Sequence, residues 1–322
     1  MKKTLLALTT VIALTACSND KEASQPQEKA TSSNVEETNS VPQDFYKESS
    51  KEKIQHIHGI GYVGNLEGVS VATHHGLKIY QNGNWLASDK EQHDYMGFQA
   101  TKNGFFASGH PETGSSLKNP LGLVKSTNGG ASFEKLAFYG ESDFHNMAAG
   151  YNSEAVYVYN ERPNSKLQQG FYVSTDSGQT WKQSNLSGIS GEIRSFAIHP
   201  DKSSVVAMST KKGVFFSTDS GNTFELFSKP KETIAITVGK EDIFYSYITE
   251  NKQQALARLS ISTNEEVNIP TPSVDSNDPI MYIAQHPQNP TEMTFATAKA
   301  NVYFTTNGGE KWEQIVKDGN IQ

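Results

Sequence analysis

The sequence is short of cysteine, since Cys17 carries the only thiol among its 322 residues. A disulfide within the chain is therefore excluded, and the folded part must be stabilised by its apolar core. Basic residues are also scarce, with 28 lysines and arginines against 35 acidic residues. Nucleic acid is not expected as a partner, because phosphate backbones are bound by an excess of positive charge. No apolar run is long enough to predict a transmembrane helix.

The N-terminus has the features of an export signal. Lys2 and Lys3 precede a short apolar run over residues 5–14, which ends in Leu14-Thr15-Ala16-Cys17. This ending resembles the lipobox of bacterial lipoproteins. The resemblance implies a signal peptide over residues 1–16, cleavage before Cys17 and attachment of a lipid to that cysteine. The protein would then be exported and anchored to the outer face of the cell membrane by lipid alone. A plain secretory signal is the alternative.

A change in composition separates this signal from the rest of the chain. From Ser18 to about Lys53 the residues are mostly Ser, Glu, Gln, Asn, Lys and Thr, and the first aromatics are Phe45 and Tyr46. Such a segment buries too little apolar area to offset the entropy lost on ordering. We therefore predict a flexible linker over residues 17–53 and a folded domain over residues 54–322.

An eight-residue motif recurs in the folded domain. Its four clear copies are Ser126–Phe133, Ser174–Trp181, Ser217–Phe224 and Thr305–Trp312. They are spaced by about 44 residues or twice that number, and degenerate copies near Gln81 and Ser262 complete the series. The pattern S-x-D-x-G-x-T-W resembles the Asp-box, or BNR, motif. The resemblance assigns a structural role in the turn to the residues Asn128, Asp176, Asp219, Asn307, Trp181 and Trp312.

Each repeat divides into four short strands, which we name A to D in chain order. That unit is a propeller blade, so the sequence predicts an all-β protein, a β-propeller of about six four-stranded blades. A seventh blade that recruits the segment near Phe45 is the alternative. The chain is similar to the Asp-box propeller superfamily that includes sialidases, sortilin and a photosystem II assembly factor, and to lipoproteins often labelled BNR-repeat glycosyl hydrolases.

Sialidase activity is not expected, although the repeat resembles that of sialidases. Sialidases need a cluster of three arginines, and this chain has only Arg162, Arg194 and Arg258, which the repeat places in different parts of their blades. Other glycoside hydrolases need only two carboxylates. A glycoside hydrolase therefore stays open as the alternative function, with an acid and a base chosen from Asp94, Asp143, Glu161 and Glu192.

Equivalent positions in successive blades lie on rings, and three rings converge on the face opposite the Asp-boxes. The first ring, near the start of strand A, is His58, Met96, His145, Arg194, Ile234 and Met281. The second, at the end of strand B, is His74, His110, Glu161, Thr210, Ile248 and Thr297. The third, two residues before the first ring, is His56, Asp94, Asp143, Glu192, Glu232 and Pro279. We call these three rings the collar.

Imidazoles and thioethers in the collar are the ligands that soft and borderline metals prefer, copper(I) above all. The collar therefore suggests a transition-metal site, with copper favoured, although the cofactor stays unknown. Its candidate ligands are His56, His58, His74, Met96, His110, His145, Glu161 and Met281. Inter-blade packing of the methionines and solvation of the acids are the alternative, as is a carbohydrate or peptide site. We predict a binding or scaffolding module for a small ligand, a metal ion or a protein, without catalytic residues.

Overall fold

A computed structural model describes residues 40–49, 53–275 and 277–322, and these residues contain 26 β-strands. The predicted signal peptide and Cys17 lie outside the described residues. Within the described ranges, no helix is long and apolar enough to cross a membrane.

The strands form six antiparallel sheets, each made from one continuous stretch of chain. Blade 1 contains β1 (Lys47–Glu48), β2 (Gly59–Gly61), β3 (Val69–Thr73), β4 (Gly76–Gln81) and β5 (Asn84–Ala87). Blade 2 contains β6 (Asp94–Thr101), β7 (Gly104–His110), β8 (Leu123–Ser126) and β9 (Glu134–Ala137). Blade 3 contains β10 (Met147–Ala149), β11 (Val156–Asn160), β12 (Gly170–Ser174) and β13 (Lys182–Ser184). Blade 4 contains β14 (Ile193–Ile198), β15 (Val206–Thr210), β16 (Gly213–Ser217) and β17 (Glu225–Leu226). Blade 5 contains β18 (Thr233–Val238), β19 (Asp242–Ile248), β20 (Gln254–Ser260) and β21 (Glu266–Ile269). Blade 6 contains β22 (Ile280–Gln285), β23 (Met293–Thr297), β24 (Val302–Thr305), β25 (Glu313–Lys317) and β26 (Asn320–Ile321).

The predicted six-bladed propeller is confirmed, and the seven-bladed alternative is wrong. The segment that would have started a seventh blade instead adds β1 to the outer edge of blade 1, where Lys47 and Glu48 pair with β5. The hydroxyl of the half-buried Tyr46 donates a hydrogen bond to the carbonyl of Gly129 in blade 2, at 2.5 Å. The linker predicted over residues 17–53 does not anticipate this strand.

The apolar core is divided into six clusters, one between each pair of neighbouring blades. Between blades 6 and 1, Val302 and Val316 pack against Val69 and Val71. Ile54 joins this cluster at 2 % exposure, and its N–H donates to the carbonyl of Gly319 at 2.8 Å. The ring is thus closed by apolar packing and this hydrogen bond and not by a shared blade, because all the strands of blade 6 come from the C-terminal stretch.

The Asp-box turns join strands C and D of their blades. In blade 3, the hydroxyl of Ser174 donates to Asp176 and accepts the N–H of Gly178, both at 2.8 Å. The other donors to the Asp176 carboxylate are the N–H and hydroxyl of Thr180, at 2.9 and 2.5 Å. These bonds lower the pKa of Asp176 to about 2, with those from Thr180 contributing most. Gly178 has a φ of +83°, which glycine adopts without strain.

The same turn recurs with a charged or a neutral acceptor. Asp219 in blade 4 accepts equivalent bonds, and its pKa is also lowered to about 2. Asn128 in blade 2 and Asn307 in blade 6 make the backbone bond with a neutral amide oxygen. The indole N–H groups of Trp181 and Trp312 donate to backbone carbonyls at 3.0 and 2.8 Å. All these side chains therefore bind their own turns or neighbouring backbone.

Candidate functional site

A central channel of about 740 Å³ runs between the innermost strands of the six blades. These are β2, β6, β10, β14, β18 and β22, each of which contacts its neighbours around the ring. The strands start at the collar, on the face opposite the Asp-boxes. The predicted first ring meets the channel there, and His58, His145, Arg194, Ile234 and Met281 are among the lining residues.

Several residues of the first ring lie at β-bulges, where the regular pairing between strands A and B is interrupted. In β14 the pairing passes from Ile193 to Ser195, which leaves Arg194 without a partner residue in β15. Met281 is left out in the same way in β22, between Ile280 and Tyr282. The pairings of β6 and β18 shift at the same point. A bulge redirects the side chain of the extra residue, a device that is common beside functional sites.

Two histidines and an aspartate converge where blades 1 and 2 meet. His58 lies just before β2, His74 just after β3, and Asp94 begins β6. Nδ1 of His74 lies 2.8 Å from Oδ2 of Asp94 and 3.2 Å from Nε2 of His58. Nε2 of His58 lies 3.5 Å from Oδ1 of Asp94. We call these three residues the first cluster. Their potential ligand atoms all lie within 4.8 Å of one another.

Burial and neighbouring imidazoles keep His58 neutral. Desolvation is the largest cause that lowers the pKa of His58, to about 4, and His74, His56 and His145 lower it further. The carboxylate of Asp94 opposes them. The ring of His56 lies 5.0 Å from that of His74 and 6.4 Å from that of His58. At neutral pH His58 is therefore in the form that binds metal ions.

A second group of similar chemistry lies where blades 2 and 3 meet. Oδ2 of Asp143 is 3.2 Å from Nε2 of His110 and 3.4 Å from Nδ1 of His145. We call these three residues the second cluster. Burial raises the pKa of Asp143, His145 and His110 lower it, and the charges of Asp94 and Glu161 raise it. The influence of Asp94 on Asp143 shows that the two clusters are neighbours.

The part of the collar formed by blades 3 to 5 is occupied by ion pairs. Nη1 of Arg194 lies 2.9 Å from Oε1 of Glu192, and Nη2 lies 3.3 Å from Oε1 of Glu232. Lys211 contacts Glu192 at 2.7 Å, and its hydrogen bond is the largest cause that lowers the pKa of that carboxyl. Glu161 accepts a hydrogen bond from the amide of Asn146 at 3.1 Å.

The structure brings together part of the predicted ligand set. His56, His58 and His74 meet at one blade interface, and His110 and His145 at the next. Met281 is 39 % exposed on the channel wall of blade 6. Met96 is half-buried at the bulge of β6.

Two site residues were not among the predicted metal ligands. From the sequence, Asp94 and Asp143 were predicted to lie in the collar and were named only as an alternative catalytic acid or base. In the structure each carboxylate is in direct contact with two imidazoles. The third ring was the signal for them, since it placed a carboxylate two residues before the first ring in both blades.

Comparison with known proteins supports the repeat architecture. Residues 121–269 match the sequence model of the family described as "Sortilin, neurotensin receptor 3" (Sortilin-Vps10). This range includes the Asp-box turns of blades 2, 3 and 4. The match covers less than half of the chain, so it is a likeness over part of the propeller, whose six blades are seen in the structure itself.

Proteins of known sequence or structure are similar to this chain over different lengths. A xyloglucanase of Hypocrea jecorina is 39% identical over 74 residues, which is 22% of this chain and 9% of the relative. The structure of a GH74 xyloglucanase of Xanthomonas campestris is similar with a TM-score of 0.51 and 14% identity, over 84% of this propeller chain and 46% of the enzyme. A gluconolactonase of Xanthomonas campestris is similar with a TM-score of 0.56 and 9% identity, over 80% of this chain and 88% of that chain. The chain thus spans less than half the length of either xyloglucanase, and the structural likenesses show the fold alone.

Proposed function

We propose that this propeller is a ligand-binding protein, and that the first cluster holds a divalent transition-metal ion. The observation that carries the proposal is the convergence of His58, His74 and Asp94, whose potential ligand atoms lie within 4.8 Å of one another. The three residues come from the ends of three different strands in two blades. Their approach is therefore set by the packing of the blades and not by local sequence.

The spacing of the donors fits the size of a metal site. Zinc–ligand bonds of about 2.0–2.1 Å place neighbouring ligand atoms of a tetrahedral ion roughly 3.3 Å apart. The separations in the first cluster are 3.2 Å between the two imidazole nitrogens, and 2.8 and 3.5 Å from them to the carboxylate oxygens. In addition, Oδ1 of Asp94 is buried and accepts no hydrogen bond from the described residues. A cation would satisfy this oxygen, because a buried carboxylate is stable only when paired.

The ligand atoms of the first cluster favour a divalent ion and not the copper(I) that the sequence suggested. Two imidazoles and a carboxylate suit borderline divalent ions, whereas copper(I) prefers thiolate and thioether ligands. Affinities of nitrogen and oxygen sites for divalent ions rise to a maximum at copper(II). We therefore expect copper(II) to bind most tightly and zinc to follow.

The proposal is tested by titrating the protein with Cu²⁺ and Zn²⁺ against a competing chelator. We expect His74→Ala and Asp94→Ala to weaken binding at the first cluster by at least about 100-fold, since changes in the surrounding shell alone reduce metal affinity by about 10- to 100-fold. His75→Ala is the matched control, because His75 is the exposed neighbour of His74. Binding that His74→Ala leaves intact, or that His75→Ala reduces equally, would contradict the proposal.

Glycoside cleavage is the second candidate function, and the similarity to a xyloglucanase over 74 residues favours it. Asp94 and Asp143 lie at neighbouring blade interfaces at the mouth of the channel, where an acid and a base would have to act. Each carboxylate is held between two imidazoles, which suits an ion ligand better than a proton donor. Incubation with xyloglucan oligosaccharides tests this candidate. If the natural chain releases reducing ends and neither Asp94→Asn nor Asp143→Asn does, this candidate is supported. If the natural chain releases none, it is refuted for this substrate.

We also propose that the propeller is held at the outer face of the cell membrane by a lipid on Cys17. The motif Leu14-Thr15-Ala16-Cys17 supports this placement. The test is to express Cys17→Ala beside the natural chain and to fractionate the cells. The natural chain should sediment with membranes and the variant should not; equal distribution of both would contradict a lipid anchor.

A further inference from the structure

All three rings of the collar carry apolar side chains in blades 5 and 6. The first ring contributes Ile234 and Met281, the second Ile248 and the third Pro279. Elsewhere in the collar the only apolar side chain is that of Met96. We call Ile234, Ile248, Pro279 and Met281 the apolar patch, and all four residues line the channel.

The apolar patch is accessible from the channel. Met281 is 39 % exposed, and the other three residues are half-buried. Met281 and Ile234 both lie at β-bulges, which redirect side chains out of the regular ladder. A concave site of this volume with an apolar lining is typical of ligand-binding pockets.

A buried amide with an unused acceptor lies next to the apolar patch. Gln254 begins β20, is 7 % exposed and lines the channel. It is the register partner of Ile248, so the two side chains point to the same face of blade 5. That face packs on blade 6, because Leu256, two residues further along β20, belongs to the core cluster between these blades. Oε1 of Gln254 accepts no hydrogen bond from the described residues.

A buried hydroxyl holds the two sides of the patch in place. The hydroxyl of Ser246 accepts the N–H of Ala235 at 2.9 Å and donates to the carbonyl of Ile280 at 3.1 Å. Ala235 and Ile280 are the chain neighbours of Ile234 and Met281. The apolar patch is thus built on fixed backbone from both blades, which reduces the entropy lost when a ligand binds.

The chemistry of this surface fits a peptide better than a sugar. Neither the apolar patch nor Gln254 carries a charge, and Arg194 and Glu232 beside them pair with each other at 3.3 Å. A sugar would bring many hydroxyl groups to side chains that offer one buried acceptor, and burying the other hydroxyls without partners is unfavourable. A peptide residue with an apolar side chain brings one N–H beside one apolar group. The flexible thioether of Met281 adapts to apolar groups of different shape.

We infer that the apolar patch and Gln254 bind an extended peptide segment of a partner protein. An apolar side chain of the peptide packs on Met281 and Ile234, and a backbone N–H of the peptide donates to Oε1 of Gln254. The inference goes beyond the proposed function and does not depend on it, because none of these residues belongs to the first cluster.

The test is an NMR titration of the full chain, with isotope-labelled methyl groups on isoleucine and methionine, in a buffer that contains EDTA. The probe is N-acetyl-Leu-Leu-amide, and N-acetyl-Ser-Ser-amide is the control peptide. We expect the leucine peptide to cause saturable shifts at the methyl groups of Ile234, Ile248 and Met281, and the serine peptide to cause none. Met208, which is fully buried in the core cluster between blades 3 and 4, should not shift with either peptide.

Two variants test the hydrogen bond. Gln254→Leu removes the acceptor at nearly constant volume, and Gln253→Leu is the matched control at the exposed neighbouring position. A hydrogen bond contributes about 5- to 10-fold to the affinity, so Gln254→Leu should weaken binding by about this factor and Gln253→Leu should not. Since Oε1 of Gln254 is unpaired in the free protein, Gln254→Leu should not lower the Tm. Weaker binding would then not be a consequence of unfolding.

The outcomes separate this inference from the proposed function. No shift at the apolar patch, or equal shifts with both peptides, would overturn the inference whatever the metal titrations show. Equal affinity of Gln254→Leu and Gln253→Leu for the leucine peptide would also overturn it, as would a lower Tm of Gln254→Leu, which would mean that the amide is already paired in the free protein. Peptide binding in EDTA by a protein that binds no metal ion would support this inference and overturn the metal site alone.

Discussion

Gly97 lies where the innermost strand of blade 2 passes the start of blade 3, and its replacement by alanine tests this packing. A Cβ atom at Gly97 would lie 2.2 Å from the carbonyl oxygen of Phe144 and 2.6 Å from Sδ of Met147. Ordinary contacts of a Cβ atom begin at about 3.4 Å. The two blades would therefore have to separate by about 1 Å, and Asp143 is attached to the segment that would move.

The expected loss of stability follows from two contributions. Overpacking of a filled interior costs about 1–3 kcal/mol. The register partner of Gly97 is Ser108, whose hydroxyl accepts the N–H of Phe144, and losing this bond costs about 1 kcal/mol more. A total of about 2–4 kcal/mol should lower the Tm by on the order of 5–15 °C in a domain of this size.

The assay is thermal unfolding of Gly97→Ala beside Gly239→Ala, followed by circular dichroism or by calorimetry. Gly239 directly follows the innermost strand of blade 5 and is a fair control, because its added Cβ would meet only the flexible side chain of Gln285 at 2.6 Å and no backbone atom closer than 3.4 Å. We expect only a small change in Tm for the control. An unchanged Tm would refute the close contact of blades 2 and 3 at this point.

Two further predictions concern the turns and the closure of the ring. The pKa values of Asp176 and Asp219 are lowered from 3.8 to about 2, so their stabilising effect is present above about pH 4 and is lost as the pH falls towards 2. The Tm of the double variant Asp176→Asn, Asp219→Asn should therefore fall less between pH 7 and pH 2 than the Tm of the natural chain. An equal fall in both proteins would contradict this prediction. Ile54→Ala should destabilise the protein by about 2–5 kcal/mol in urea unfolding, because its side chain is 2 % exposed between blades 6 and 1. The control is Val267→Ala, whose side chain is 41 % exposed and which should change the free energy of unfolding by no more than about 0.5 kcal/mol. An equally small change for Ile54→Ala would contradict the role of this packing in closing the ring.

The number and order of the blades could be predicted because the Asp-box recurs at a fixed period. Each copy needs a small set of residue types for its turn, so the repeat survives where the strands themselves vary. The strand at Lys47–Glu48 could not be predicted in this way. It lies in a polar segment and is held by one partner strand and by the hydrogen bond of Tyr46, which are contacts that composition does not reveal.

The sequence was enough to predict which residues lie in the collar, but not which of them contact one another. Aligning the blades placed His74 and Asp94 on separate rings, because an alignment compares equivalent positions and these two residues are not equivalent. Their contact depends on how the end of one blade meets the start of the next. Met96 and Met281 show the opposite: they share a ring position with His58 but lie in blades 2 and 6, at β-bulges that an alignment of the repeats does not show.

The most direct test of the metal site is a crystal structure of the protein grown with Cu²⁺, measured at the copper absorption edge. We predict an anomalous peak about 2 Å from both Nε2 of His58 and Nδ1 of His74, with a carboxylate oxygen of Asp94 completing the ligands. A fully ordered collar without anomalous density between these three residues would contradict the central claim.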